Sequence, residues 1–231
     1  MTIGLKQRAY RDARKVVESN ILHHPRSLQK EIGPSEIGTD CQRCLAAKLA
    51  GWPEEREVAW LPAIGTAMHA QLAEWFEAVD EDRYLSEHRV NVGQIGETEI
   101  WGSSDLFDKK TGTVIDFKVV GAGTLKSAKD GPSDQYRVQA HLYGRGFVKA
   151  GFKVNEVAIW YMPRNYYSLD GGVFWHEPWD EDVAIEALAN ANELLDEVLF
   201  HRALGEEVEF IESLPRASKC WDCDRLHSPE A

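Results

Sequence analysis

The segment from Gly102 to Lys118 predicts two neighbouring β-strands joined by a turn. Its sequence, GSSDLFDKKTGTVIDFK, places Asp105 before the turn and ends the second apolar run with Asp116, Phe117 and Lys118. Because successive side chains of a strand point to opposite faces, Asp116 and Lys118 should share one face while Phe117 enters the core. The segment therefore requires a sheet that has a buried face and an acidic site beside it.

Two carboxylates that face each other, with an ammonium next to one of them, suit metal-assisted attack on a phosphodiester. Carboxylate oxygens bind hard divalent cations. A lysine then orients a water or neutralises the charge that develops on the phosphate. A D-x-K pair at a strand end is also common as a surface cross-strand pair, so the prediction of a nuclease site depends on other segments.

Residues 64–80 predict a helix, because small and apolar side chains recur there at helical spacing. These side chains belong to Ala63, Ala67, Ala70, Leu72, Ala73 and Phe76. Gly65 and Thr66 are the expected entry and cap. His69 lies on the apolar face, where a histidine is either a satisfied core residue or a ligand.

Residues 133–151 predict a second helix, which begins at a Ser-Asp cap and ends at a glycine. Gln135, Gln139 and Tyr143 recur every four residues and share one face. Such a polar stripe is expected in a wet cleft, and an ordinary solvated face is the alternative.

In chain order these segments read G-T-x-x-H on a helix, G-x-x-D, I-D-F-K, and Q-x-x-x-Y on a helix. This order resembles the PD-(D/E)XK nuclease superfamily, and more narrowly the RecB-type exonucleases and the related iron–sulfur CRISPR-associated adaptation nucleases. The resemblance covers roughly residues 35–225 and is compatible with a phage-encoded member. One departure is Ser104, which stands where the family name places proline. The implied fold is α/β, a restriction-endonuclease-like core with a mixed sheet flanked by helices.

The resemblance also implies a metal site. His69, Asp105 and Asp116 would bind the ion together with the backbone carbonyl of Phe117. The expected ion is Mg²⁺ or Mn²⁺, because the ligands are mainly carboxylate oxygens.

The same resemblance assigns the catalytic lysine to Lys118, with Gln139 and Tyr143 supporting it or the DNA. Glu87, on the segment YLSEHRVNVG, is a weaker candidate for an outer position near the metal. An ordinary exposed strand glutamate is the better interpretation of that residue.

The four cysteines form two C-x-x-C pairs, Cys41 with Cys44 and Cys220 with Cys223. Together they offer the four thiolates that tetrahedral zinc or an iron–sulfur cluster requires. Disulfides are the alternative, but without a secretory signal or apolar span we expect a reducing compartment, the cytoplasm, or the host cytoplasm if the chain is phage-encoded. Unlike a zinc ribbon, a shared centre here would join the N-terminal region to the C-terminus.

The resemblance implies that this centre is a [4Fe–4S] cluster, because cysteines flank the core in a subgroup of these nucleases. That subgroup usually has one cysteine before the core and three after it. Here Pro229 stands where a third late cysteine would fall, and Cys44 would complete a two-plus-two set. Structural Zn²⁺ is the alternative, and His227 would serve as a ligand if one thiol does not.

The formal net charge of −12 argues at first sight against a nucleic-acid partner. Positive charge is nevertheless concentrated near the N-terminus, in Lys6, Arg8, Arg11, Arg14, Lys15, Arg26 and Lys30. Lys118, Lys126, Lys129 and Arg137 are expected around the site. We predict a local basic groove whose binding of phosphates is modest and sensitive to salt.

A length of 231 residues suits one nuclease domain. We divide it into a basic helical arm (1–34), a first cysteine segment (35–62), a catalytic core (63–162), and a C-terminal helix with the second cysteine pair (163–231). Helices are predicted at about 5–20, 41–51, 63–80 and 180–202, and strands near 84–93, 97–107, 113–118, 155–163 and 171–177.

The glycine- and lysine-rich segment from Val119 to Asp134 is predicted to be a mobile loop over the cleft that touches DNA. The GAGTLKS stretch inside it lacks the second glycine of a phosphate-binding loop, so no ATPase is predicted.

Together, these features predict a metal-dependent exonuclease that trims DNA ends, acting on single strands, with recombination or adaptation proteins as partners. The alternative is a non-catalytic, metal-stapled module that binds nucleic acid on a nuclease scaffold.

Overall fold

A five-stranded mixed sheet forms the centre of the protein. The structure is a computed structural model that describes residues 5–24, 31–55, 57–80, 82–218, 220 and 222–228. The strands, in the order in which they neighbour one another, are β1 (Tyr84–Ile95), β2 (Thr98–Asp108), β3 (Thr113–Val120), β4 (Glu156–Pro163) and β5 (Val173–Pro178). All neighbours are antiparallel except β3 and β4, which are parallel. The predicted α/β fold with a mixed sheet is confirmed.

Helices surround this sheet. They are α1 (Leu5–Leu22), α2 (Pro34–Ile37), α3 (Gln42–Leu49), α4 (Trp60–Val79), α5 (Ala122–Ser127), α6 (Asp134–Lys149), α7 (Glu181–Leu204) and α8 (Glu207–Ser213). The parallel pair β3 and β4 needs a long crossover, which α5 and α6 supply. The short helices α2, α5 and α8 were not predicted from the sequence.

The two faces of the sheet pack against different helices. On one face, α4 buries Leu72 against Leu106 of β2 and Phe117 of β3. On the other face, Phe107 of β2 stacks on Phe147 of α6, with ring centroids 4.2 Å apart. Each fully buried side chain of this size contributes about 1.5–3 kcal/mol, so both helices are held firmly against the strands that carry the acids.

The start of α4 differs from the prediction. The helix begins at Trp60, one turn earlier than expected, and Gly65 and Thr66 lie inside it. Proline is tolerated in the first turn of a helix, where its missing N–H has no partner to lose, so Pro62 does not delay the start. The Thr66 hydroxyl donates to the Pro62 carbonyl at 3.1 Å and does not cap the helix.

The prediction of a loop from Val119 to Asp134 is also wrong. Its predicted contact with DNA stays a prediction. The chain continues as strand to Val120, forms α5, and then a 3₁₀ turn over Ala128–Asp130. Leu125 and Ala128 are 3% and 4% exposed. Their burial anchors the segment, because apolar side chains three residues apart share one face of a helical turn.

The basic N-terminal arm forms α1, whose described side chains are mostly exposed. Arg8 pairs with Asp12, and Arg14 pairs with Glu18, within the helix. Arg26 and Lys30 lie outside the described residues. The DNA-binding role of this arm stays a prediction. Among the described residues, the helices are too short or too polar to cross a bilayer.

Candidate active site and thiol centre

The paired strands β1 and β2 bring two acids together. Ser86 pairs with Leu106 and His88 pairs with Ser104, and Glu87 and Asp105 lie between these two pairs. Glu87 has a φ of 45° and is the one non-glycine residue with a positive φ in the described part of the chain. Such a conformation costs a non-glycine residue about 1–3 kcal/mol and tends to persist at functional sites.

Asp105 joins three elements of the fold. Its Oδ2 accepts a hydrogen bond of 2.7 Å from the backbone N–H of Phe117 on β3. Its Oδ1 lies 3.1 Å from Nδ1 of His69 on α4. The paired residues of β2 and β3 extend from Asp108–Thr113 to Leu106–Ile115, so the carboxylate connects the strands just beyond the ladder. Asp105 is thereby fixed at the junction of α4, β2 and β3.

His69, Glu87 and Asp105 form a candidate metal site. Each offers one ligand atom, and these atoms all lie within 4.8 Å of one another. Oxygen ligands bind Mg²⁺ at about 2.0–2.1 Å and Ca²⁺ at about 2.3–2.6 Å, so two ligands of one ion are at most about 4.2 Å apart for Mg²⁺ and about 5.2 Å for Ca²⁺. The spacing of these atoms is in the range that one ion requires, with a small closure for Mg²⁺. Glu87, interpreted from sequence as an ordinary exposed glutamate, belongs to this group. Nothing in the sequence distinguishes an isolated glutamate in a strand from an ordinary surface residue. The structure does distinguish Glu87, by its positive φ and its position opposite Asp105.

Asp116 and Lys118 of β3 form an ion pair beside that site, in which the carboxylate is buried and the lysine is half-buried. Lys118 Nζ lies 2.7 Å from Asp116 Oδ2, and the Asp116 side chain is 3% exposed. Nζ also donates to Oε1 of Gln139 at 3.1 Å and lies 4.5 Å from the ring centroid of Tyr136. The sequence interpretation did not include Tyr136, which lies one helical turn before Gln139 on α6.

The charges at this pair follow from burial and from the neighbouring acids. Burial raises the pKa of Asp116, and the ammonium of Lys118 only partly offsets that rise. For Lys118, burial opposes the charge, but the carboxylates of Asp116 and Asp105 outweigh it and raise its pKa. The lysine therefore acts as a cation at neutral pH and not as a proton acceptor.

The donor set fits a hard divalent cation. Oδ2 of Asp116 is buried and lies 2.7 Å from the Lys118 ammonium, which favours the charged form of the carboxyl. The charges of Asp105 and His69 also act on the Asp116 carboxyl, which is not itself a member of the closely spaced group formed by His69, Glu87 and Asp105. Carboxylate oxygens and an imidazole nitrogen are the ligand types that Mg²⁺ and Mn²⁺ accept in proteins.

Two of the three residues of the polar stripe on α6, Gln139 and Tyr143, are buried and Gln135 is half-buried, which corrects the expectation of a wet cleft. Gln139 and Tyr143 are 5% and 6% exposed, and Gln135 donates to the Ser35 carbonyl of α2 at 2.6 Å. The stripe is polar because it faces a half-buried lysine and the backbone of α2. Tyr143 packs close to Gly102, where an added Cβ would lie 3.0 Å from its ring.

The expected basic groove is only partly available. Lys126 and Lys129 are exposed. Arg137, however, pairs with Glu177 at 2.6 Å, and Lys118 is already paired with Asp116. Free positive charge near the site therefore comes from fewer residues than the sequence suggested.

The four cysteines meet at a second centre. Cys44 Sγ lies 3.0 Å from the sulfurs of both Cys220 and Cys223, and Cys41 Sγ lies 3.4 Å from that of Cys223. Cys41 precedes α3 and Cys44 is in its first turn, whereas Cys223 lies in a 3₁₀ turn over Asp222–Asp224. The predicted joining of the two ends of the chain by four cysteines is confirmed.

Other contacts reinforce this junction. Glu54 and Leu226 form an isolated antiparallel bridge, and the Arg225 guanidinium lies 3.0 Å from the Glu54 carboxylate. The ring of His227 lies near Glu55 at 3.4 Å and is not a member of the four-thiol group. Pro229, the position of the missing late cysteine, lies outside the described residues.

Burial and the neighbouring thiols raise the pKa of Cys44, and burial raises that of Cys223 to about 11. Metal binding at this centre must therefore displace protons, since the thiolate is the ligand.

Comparison with known proteins supports the fold. No protein-family model matches the chain, and no curated protein matches it. Among solved structures, the chain is similar to the alkaline exonuclease LHK-Exo from Laribacter hongkongensis, with a TM-score of 0.52 and 13% identity over 86% of this chain and 96% of that one. The complex of LHK-Exo with dAMP gives a TM-score of 0.52 and 14% identity over 79% and 92% of the two chains. The chain therefore shares the fold of this exonuclease.

Proposed function

We propose that the protein is a divalent-metal-dependent deoxyribonuclease of the PD-(D/E)XK type, an exonuclease that hydrolyses phosphodiester bonds at DNA ends. The observation that carries the proposal is the convergence of His69 and Asp105 with the Asp116–Lys118 pair. Three elements separated in sequence place two carboxylates, an imidazole and an ammonium in one neighbourhood. A scaffold without chemistry gains nothing from burying that set, since buried charges are costly.

His69, Asp105, Asp116 and the carbonyl of Phe117 would hold Mg²⁺ or Mn²⁺, and we add Glu87 to this set. When bound, the ion supplies Lewis acidity toward a phosphate oxygen and favours a nucleophilic water. Asp105 is oriented for this role by its hydrogen bond from the Phe117 N–H.

Lys118 would neutralise negative charge on the phosphate and orient the attacking water. Its ammonium is held by Asp116, Gln139 and Tyr136. A cation fixed in this way pays no reorganisation cost when charge develops in the transition state. Tyr143, which packs near Gly102, would support β2 beneath the site and would not contact the reacting atoms.

The proposed substrate is DNA, with single strands favoured, and the proposed setting is recombination, repair or CRISPR-adaptation-like processing with protein partners. The solved LHK-Exo complex contains dAMP, a deoxynucleotide, which agrees with this substrate class. The division into a basic arm, cysteine segment, catalytic core and C-terminal segment within one domain stays a prediction.

The thiol centre is proposed to hold a structural metal. The resemblance implies [4Fe–4S], but three of the sulfur–sulfur distances are 3.0–3.4 Å, and all four sulfurs lie within 4.8 Å of one another. These distances favour the alternative, a single tetrahedral ion such as Zn²⁺. Metal–sulfur bonds of 2.3 Å separate tetrahedral thiolates by roughly 3.8 Å. A four-iron cluster would force them farther apart, because its own irons and sulfides lie between the thiolates. Iron, sulfide and zinc analysis of protein purified without oxygen distinguishes the two.

A second candidate function is a metal-stapled module that binds nucleic acid without cutting it. The thiol centre favours it, because that centre would stabilise the scaffold whether or not the other site is active. The Asp116–Lys118 pair favours the enzyme, because burying a carboxylate beside an ammonium is costly and a module that only binds DNA does not need it.

The test is digestion of labelled single- and double-stranded DNA with Mn²⁺ or Mg²⁺, with and without a chelator. The enzyme predicts degradation that the chelator abolishes and added metal restores. Binding to DNA without chelator-sensitive degradation in any DNA form would establish the binding module instead.

A further inference from the structure

The exposed side of the β1–β2 hairpin carries an aromatic–cationic pair that the proposed reaction does not use. Trp101 on β2 is 40% exposed, and the Arg89 guanidinium carbon lies 5.3 Å from its ring centroid. Across the hairpin, Arg89 pairs with Ser103 and Asn91 pairs with Trp101. We call these four residues, Arg89, Asn91, Trp101 and Ser103, the hairpin platform.

The platform holds its tryptophan in a fixed orientation. The indole Nε1–H donates to the Glu99 carboxylate at 3.1 Å, and the Arg89 guanidinium lies over the ring. The indole is therefore held at two points while much of its surface faces solvent. Core packing does not account for this residue, because an apolar ring gains most by burial.

The platform also presents positive charge on an acidic protein. Within the described part of the chain, no carboxylate forms an ion pair with Arg89, whereas Arg83 and Arg137 are each paired with an acid. Lys149 adds a second cation at the edge strand, where its ammonium donates to Asn91. An aromatic face beside unneutralised cations is the combination that binds single-stranded nucleic acid, because bases stack on the ring and phosphates meet the cations.

The hairpin platform lies on the same two strands as two residues of the candidate metal site. Trp101 and Asp105 are on the same strand, as are Arg89 and Glu87. Four residues of strand span about 14 Å, the length of about four stacked nucleotides at 3.4 Å each. A DNA strand whose phosphate lies at Asp105 therefore reaches Trp101 within about four nucleotides.

We propose that the hairpin platform is a subsite for single-stranded DNA, on which Trp101 stacks a base within about four nucleotides of the cleaved phosphate and Arg89 binds the adjoining backbone. The distance to the cleaved phosphate rests on the proposed function. The binding of single-stranded DNA rests on the hairpin platform alone.

The experiment uses the full chain carrying Asp116→Asn, so that DNA is not consumed, and single-stranded 12-mers with 2-aminopurine at successive positions. Stacking on Trp101 should quench the probe at one or two neighbouring positions. Trp101→Ala should abolish that quenching and weaken binding about 5- to 150-fold, and Trp101→Phe should restore most of both. Arg89→Gln should reduce the slope of log affinity against log salt by about 0.7.

The matched control is Trp75→Ala, which removes a tryptophan that is 54% exposed on α4 and should change neither readout. Equal quenching and affinity in the Trp101→Ala protein and its parent, with both folded, overturns the subsite, as does failure to bind any single strand. Loss of self-association in Trp101→Ala without loss of DNA binding would mark a protein interface and also overturns it. If the platform binds DNA but the wild type never cuts, the proposed function fails while the subsite stands.

Discussion

The two candidate metal centres are built on opposite principles. The site at His69, Asp105 and Asp116 offers nitrogen and oxygen atoms from a helix and two strands, next to a half-buried lysine. The thiol centre offers four sulfurs from segments at the two ends of the chain. Hard ligands with a nearby cation suit an exchangeable Mg²⁺ or Mn²⁺ that meets substrate, whereas a closed set of thiolates suits a permanent structural ion.

The difference predicts separate consequences of losing each metal. At the first centre, α4 and the sheet are already held by apolar packing around Phe117 and Leu106, so removing the ion should leave the fold intact. At the second centre, the C-terminal segment is held by the thiols, an isolated bridge, surface ion pairs and the burial of the single apolar side chain of Leu226. Removing that ion should release the ends of the chain.

Apart from the loss of Asp116 itself, the largest effect should come from changing Lys118. Lys118→Met keeps the aliphatic stem but removes the charge, and we expect hydrolysis to fall by about 10²–10³-fold or more. Lys153→Met, at an exposed lysine before β4, is the control and should retain activity. Because the change leaves Asp116 buried without its ammonium, thermal melting is measured in parallel. An active Lys118→Met protein would remove the lysine from the mechanism.

The second effect concerns the thiols. Changing Cys41, Cys44, Cys220 or Cys223 to Ser should lower the free energy of unfolding by several kcal/mol in each case, since apparent binding energies of structural zinc are about 10–16 kcal/mol. Limited proteolysis should then cut first near the two ends, and the metal content should fall. A single cysteine whose loss changes neither stability nor metal content would break the four-ligand assignment.

The third effect sharpens the first centre. Glu87→Gln should weaken Mn²⁺ binding about 10-fold, so that activity is recovered at higher metal concentration. Glu87→Gly should also relieve the φ of 45° and raise the free energy of unfolding by up to about 1 kcal/mol. Metal titrations and melting curves measure both. Unchanged metal affinity in Glu87→Gln would show that Glu87 is not a metal ligand and is an ordinary strand glutamate.

The smallest effect is pH-dependent. The guanidinium of Arg83 holds the pKa of Asp108 down at about 2, below the value of about 3.9 expected in the unfolded chain. The pair therefore stabilises the fold fully above about pH 4 and loses this contribution as the pH falls toward 2, by roughly 1–2 kcal/mol. Asp108→Asn should remove that part of the acid sensitivity in melts from pH 5 to 2. An unchanged pH profile would contradict the assignment.

Sequence patterns predicted most of the sheet and the meeting of the four cysteines, because strand alternation and C-x-x-C spacing are local. The ligand set of the acidic site stays a prediction. The sequence favoured an ordinary strand glutamate at Glu87 over a position near the metal, because its closeness to Asp105 depends on a backbone angle and a partner strand. The burial of Gln139 was not predicted for a similar reason. A polar stripe on a helix indicates exposure to solvent, and only the structure shows that Lys118 faces Gln139. The short helix that contains Leu125 was not predicted, because the glycines and lysines around this residue are typical of a loop.

The most direct test of the account is digestion of end-labelled DNA by wild-type protein and Asp116→Asn, purified in parallel and shown to melt at similar temperatures with equal metal at the thiol centre. Asp116→Asn preserves the shape of the side chain but removes a charged ligand beside Lys118. The account predicts metal-dependent shortening from the ends by the wild type and a loss of about 10³-fold or more in the variant. Digestion at the same rate by both proteins would contradict it.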